Sequence, residues 1–150
     1  MSNWVERRKA RKLALAAKAG SVWNEIRAAI QDACQSYNAW IGTSVNTTVV
    51  CALENGKRVR ISKDVRQVLS PTSWRDENIT VVVEFSAGDS PSISVAGDGP
   101  VQSVNFKIDS DEERAFIKIG GEVVSPDQIS ERILNPLLFP TGKYVDTRNI

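Results

Sequence analysis

The chain contains no histidine. That absence removes Ser-His-Asp and Cys-His catalysis, histidine-ligated zinc and a histidine pH switch together. Cys34 and Cys51 are the only cysteines, too few to complete a structural zinc site or a secreted disulfide framework. Cys34 falls on the apolar stripe of an expected helix and Cys51 inside an expected strand, so both read as buried, reduced packing residues. Cys51 acting alone as a nucleophile would need a neighbouring base or a helix N-terminus to depress its pKa, and the sequence sets neither beside it.

Carboxylates are the other candidates. The densest group is Asp109, Asp111, Glu112 and Glu113. Asp109-Ser110-Asp111 imitates the opening of a calcium loop, but Arg114 and Gly120 stand where its glycine and final glutamate belong. A solvated turn accounts for the cluster. Gly97-Asp98-Gly99-Pro100 has the glycines of a phosphate cradle, yet strands are expected on both sides of it and Pro100 removes a backbone donor. Gly120-Gly121 is no stronger, because the next helix begins several residues later. With 18 acidic residues some pair will meet in space, and no spacing singles one out. No catalytic, cofactor-binding or metal-binding residue is assigned on these grounds, and the balance leans against an enzyme.

Charge is more informative. Residues 1–20 hold Arg7, Arg8, Lys9, Arg11, Lys12 and Lys18 against Glu6, a net of +5, and the remaining 13 basic and 17 acidic residues sum to −4. A basic arm on a mildly acidic body points to partners. The arm supports three readings. It is a solvated helix end, or it binds nucleic-acid phosphates with Lys57, Arg58, Arg60, Lys63 and Arg66 as a second patch, or it lies on an anionic membrane with its apolar face interrupted by Arg8 and Lys12. No element is shaped to read bases, so nucleic-acid contact would be nonspecific. Of the four tryptophans, Trp23 and Trp40 lie on the helical stripe and read as core. Trp4 and Trp74 are the ones placed to anchor a partner. The expected partner-binding set is therefore Trp4, Arg7, Arg8, Lys9, Arg11, Lys12 and Trp74.

The elements that must position these residues follow from periodicity. From Leu15 to Ile41 the apolar residues fall within an arc about 120° wide at 100° per residue, an amphipathic helix of about 40 Å. Before Leu15 the same arc holds Arg8 and Lys12. The helix extends back toward Asn3 as a capping residue, and residues 1–12 project or fray, with Gly20-Ser21 as a hinge. A hairpin follows, with Val49, Cys51 and Leu53 alternating against Val59 and Ile61. A three-residue loop Glu54-Asn55-Gly56, with Gly56 left-handed, pairs Cys51 with Val59 and keeps the apolar residues on one face. Residues 63–78 lack periodicity, contain Pro71, and read as a loop with a helical turn over 64–69. Strands over 79–86, 92–96, 101–109 and 114–119 complete a meander of about six, with a short 122–124 segment after Gly120-Gly121. Ser125-Pro126-Asp127-Gln128 announces a C-terminal helix through a capping box with proline at its first position, ended by Pro136.

These features describe one α+β domain over residues 1–150: a long N-terminal helix packed on an antiparallel meander, with a short C-terminal helix, in two layers. The expected core joins Val22, Ile26, Ile30, Ala33 and Tyr37 to Val49, Cys51, Val59, Ile61, Val81, Val83, Val104 and Phe106. No apolar run approaches the ~18 residues of a membrane span, and the N-terminus lacks the apolar core of a secretory signal, so a cytoplasmic protein is expected. The function that fits is a non-enzymatic interaction module that binds another macromolecule, another protein before nucleic acid, with a small-molecule-binding domain or an enzyme ranked after these.

Overall fold

A computed structural model describes residues 3–41, 48–88, 90–111 and 113–146. Helix α1 spans Trp4–Ile41, about 57 Å at 1.5 Å per residue. Asn3 caps it, its side-chain oxygen accepting the Glu6 amide at 3.0 Å. The hinge expected at Gly20-Ser21 does not form, because the helix runs through both residues and the Ser21 hydroxyl donates back to the Ala17 carbonyl at 3.4 Å. A mid-helix glycine costs only about 1 kcal/mol once the helix is nucleated around it. Ala19, Trp23, Ile26, Ile30, Cys34 and Tyr37 form the buried stripe, spaced by three and four residues as one helical face requires.

The sheet is an eight-stranded antiparallel structure. Strands β1 (Val50–Asn55), β2 (Arg58–Ser70), β3 (Ser73–Ser86), β4 (Ser92–Ala96), β5 (Val104–Ser110), β6 (Ala115–Ile119) and β7 (Glu122–Val124) lie side by side in chain order. Helix α2 (Pro126–Leu138) follows, and a last strand β8 (Tyr144–Asp146) pairs with β2 at Val65–Gln67. β8 has no counterpart in the periodicity of the sequence. Gly120 and Gly121 both have positive φ, 61° and 82°, in the two-residue turn between Ile119 and Glu122, the backbone sense that matches the twist of a tight hairpin. Gly97 answers a different need: a Cβ there would lie 2.3 Å from the Val101 carbonyl oxygen.

Three further expectations about element boundaries and pairing need correction. In the first hairpin the turn is Gly56-Lys57, with Asn55 opposite Arg58 and a bulge between Leu53 and Asn55. Cys51 therefore pairs with Ile61 and Leu53 with Val59. The face expected for these residues is kept, the register differs by two, and Gly56 is not left-handed. The Asn55 side chain accepts the Lys57 amide at 2.8 Å, which closes the turn without a left-handed residue.

Residues 63–78 are not a loop. They belong to the long β2–β3 hairpin, which turns at Pro71-Thr72 between the paired Ser70 and Ser73. Val59, Ile61, Lys63 and Val65 alternate inward and all are buried, so a lysine in a core position conceals the period of two. Pro71 needs no ladder hydrogen bond in the turn, where proline is tolerated. Beyond Val65 the hairpin outruns its cover, and Val68, Leu69 and Trp74 are exposed.

Pro136 does not end α2, which continues to Leu138 and is closed by the Phe139 amide bonding to the Asn135 carbonyl at 2.9 Å. Burial of Leu137 and Leu138 holds the last turn despite the missing proline donor. The α2 capping box is complete: Ser125 accepts the Gln128 amide at 3.1 Å and donates its own amide to the Gln128 side chain at 2.8 Å.

Both helices cover one face of the sheet. Trp23 stacks on Phe85 with centroids 5.9 Å apart and donates its indole N–H to the Gly56 carbonyl at 2.8 Å. The core residues form one continuous cluster, with Val22, Ala33 and Cys51 at its margin and Val104, expected inside, 41% exposed. The opposite face carries Arg58, Arg60, Ser62, Thr80 and Glu84. No helix is long and apolar enough to cross a membrane among the described residues.

Candidate interaction surface

Trp4, Arg7, Arg8, Lys9, Arg11 and Lys12 occupy the first turns of α1, where every residue from Asn3 to Ala14 is exposed. Trp4 is 65% exposed. Arg8, Arg11, Lys12 and Lys18 face a shallow cleft shared with Ser110 and Asp111. Asp111 organises the β5–β6 turn by accepting the amides of Glu113 and Arg114, each at 2.8 Å. Those two backbone donors, Arg114 first, hold its carboxyl below the usual range, and Lys18 adds to the effect. Glu112 lies outside the described residues. No group of three or more His, Cys, Asp or Glu side chains is placed to hold a metal among the described residues.

Trp74 sits far from this arm. β3 ends near the arm, where Ala87, Gly88 and Pro91 approach Lys12–Ala16, and it begins at the opposite end of the molecule, beyond the level of Tyr37. The indole of Trp74 lies over the Arg66 guanidinium at 5.0 Å, and Arg66 clasps Asp76 through contacts of 2.7 and 3.1 Å. The structure therefore does not bring Trp4 and Trp74 into one site.

The second basic patch does not assemble either. Lys63 points inward at 1% exposure, its ammonium donating to the Asp64 carbonyl at 3.1 Å and lying 5.7 Å from the Tyr37 ring. Arg58 binds Glu84 at 2.7 Å and Glu54 at 3.5 Å, Arg60 binds Glu54, and Arg66 binds Asp76. The Arg60 contact, with help from Arg58, keeps the Glu54 carboxyl below its ordinary range, and Arg66 does the same for Asp76. Carboxylates on the neighbouring strands β1 and β3 thus occupy these β2 arginines.

A different surface emerges where α1 and α2 end together. Ile26 and Ile129 line one cleft, while the Tyr37 and Phe139 rings meet at the other end, so the helices run in parallel. Between them lies an open groove of about 380 Å³, floored by Ala33, Tyr37, Leu134 and Leu138 and flanked by Asp127 and Glu131. Trp40 and Phe139 form its rim at 63% and 47% exposure. Tyr37, Trp40 and Phe139 make a three-ring cluster with centroid separations of 6.1, 5.8 and 6.0 Å. Neither helix has a basic residue in its last turn, so no side chain of either last turn offsets the negative helix ends presented here. The buried Ser130 hydroxyl, on the groove wall, has no hydrogen-bond partner among the described residues.

Trp40, expected in the core because it continues the apolar arc of α1, is instead at the surface. The arc is real, and Ile41 still packs against the core, but Trp40 lies on the margin of the arc and stays exposed. The available signal is positional: Trp40 stands at the end of one helix and Phe139 immediately after another. Comparison with known protein families, with characterised proteins and with solved structures found no match. The fold and surface define a two-layer α+β protein with an aromatic groove at one end and a cationic helix at the other.

Proposed function

We propose that this chain is a non-enzymatic interaction module, cytoplasmic, whose groove between α1 and α2 binds an apolar segment of another protein that also carries lysine or arginine. The observation that supports it is the exposure of Trp40 and Phe139 on the rim of an apolar groove. Exposed aromatics on a preformed concavity are the usual anchors of binding energy. Asp127, Glu131 and the two helix ends favour a cationic occupant. The test is a random-peptide display selection on the wild-type chain and on a Trp40→Ala/Phe139→Ala variant with unchanged circular dichroism. Enrichment of peptides combining an aromatic or aliphatic anchor with basic residues, lost in the variant, is expected. No enrichment, or enrichment that the variant retains, overturns the groove as the binding site.

A second reading concerns the arm. Its five cations, Arg7, Arg8, Lys9, Arg11 and Lys12, are all exposed, which favours nonspecific contact with nucleic-acid phosphates. With Arg58, Arg60 and Arg66 ion-paired and Lys63 buried, the arm would carry most of that contact, with the exposed Lys57 as the one addition from the second patch. Fluorescence anisotropy with a random duplex should then show affinity falling with salt at a slope of roughly −0.9 per phosphate contacted. No binding at ~10 μM protein in low salt, where affinity should be tighter than the roughly 1–100 μM of nonspecific contact at physiological salt, sinks this reading.

A further inference from the structure

Two cysteines distant in sequence are aligned by the way α1 meets the start of β1. The Asn38 side chain binds the Val49 backbone on both sides, donating to its carbonyl and accepting its amide, each at 2.8 Å. Cys34 is one helical turn before Asn38, a step of about 6 Å. Cys51 is two strand residues after Val49, a step of about 6.8 Å on the same strand face. Helix and strand run in opposite directions here, so the two steps lead the same way and end abreast. The cysteines meet there as free thiols that interact through their side chains, Cys34 buried and Cys51 half-buried.

We propose that Cys34 and Cys51 form an oxidisable dithiol, a modification site at which a low-molecular-weight disulfide is reduced while α1 becomes covalently tied to the edge strand β1. The half-buried Cys51 acts first. Its thiolate attacks one sulfur of the small disulfide, forming a mixed disulfide and expelling one small thiolate. Cys34 then gives up its proton and attacks the Cys51 sulfur, expelling the second small thiolate. Two protein thiols become one protein disulfide, and one small disulfide becomes two small thiols, the two protons passing to the leaving thiolates. The contact itself supports this division of labour: the hydrogen bond with Cys34 holds Cys51 below its ordinary thiol value, while the same bond and burial push Cys34 up. The bond would close the chain from 34 to 51, the segment on which Trp40 stands.

The full chain, reduced and then freed of reductant, is treated with oxidised glutathione, quenched in acid and weighed by intact mass spectrometry. The expected product is a monomer lighter by two hydrogens, with no titratable thiol and full reversal by dithiothreitol. Cys34→Ser should stop at a stable single-glutathione adduct on Cys51, and Cys51→Ser should remain largely unmodified while folded. The oxidised wild type should unfold at a higher urea concentration than the reduced protein. Retention of both thiols, a persistent glutathione adduct on the wild type, a disulfide-linked dimer, or a disulfide that forms no faster in the native chain than in denaturant would each overturn the proposal.

Discussion

The first turns of α1 and the rest of the same helix obey one backbone geometry under opposite conditions. From Trp4 to Ala14 no residue is buried, whereas from Ala19 to Tyr37 six side chains enter the core. A helix of about eleven residues is marginal in isolation because nucleation is costly. Here the arm only extends a helix already nucleated and packed by its C-terminal part. Helicity in the arm therefore carries no information about burial, and burial in the remainder owes little to propensity. The two parts should respond differently to change.

The largest effect is expected in the packed part. Ile30→Ala leaves a cavity at a position with 0% exposure and should cost roughly 2–5 kcal/mol in chemical denaturation. A loss below about 0.5 kcal/mol, the level typical of surface sites, would erase the contrast. At the boundary between the two parts, a methyl group added at Gly20 would meet nothing within 4 Å, and the residue has no positive φ. Gly20→Ala should stabilise the protein by about 0.5–1 kcal/mol, and destabilisation would show that the glycine serves a break in the helix. Deleting residues 1–12 should shift Tm by less than about 2 °C, corresponding to under about 0.5 kcal/mol. Unfolding of the truncated chain would show that the arm belongs to the core.

The smallest effect is electrostatic. Asp111, close to the arm at the β5–β6 turn, has a folded-state pKa below its unfolded value. Its contribution to stability is therefore present above the unfolded value and lost as pH falls through the folded one. Urea midpoints of the wild type should decline through the carboxylate range, and Asp111→Asn should make that decline shallower. An unchanged slope would remove Asp111 from the acid response.

The same contrast explains how much of the molecule is legible in its sequence. α1, the α2 capping box and the strand pattern of residues 79–86 in β3 and of β4 are signals contained within one segment, and local pattern reveals them. The distal half of β2 and the first residues of β3 escape it, because Lys63 occupies an inward position and Pro71 marks a tight turn as easily as a loop. β8 is too short to show a period. The groove is invisible in the sequence for another reason: Tyr37 and Trp40 belong to α1, Leu134 and Leu138 to α2, and Phe139 to the residue after it. Only the parallel alignment of the helices makes a surface of them. The arm is legible because one helix carries all of it, whereas Trp74, an equally plausible anchor by residue type, lies at the far end of the β2–β3 hairpin.

The continuity of α1 through Gly20 makes it a ruler. Trp4 and Trp40 stand 36 residues apart on one unbroken helix, about 54 Å at 1.5 Å per residue. A small domain is roughly 30 Å across, so one such partner cannot reach both tryptophans, and two can dock at once without collision. Occupancy at the arm and at the groove should then be additive in a titration with both ligands. The spacing between two bound partners would be set by helix length, four residues inserted or removed shifting it by about 6 Å and rotating one end relative to the other by about 40°.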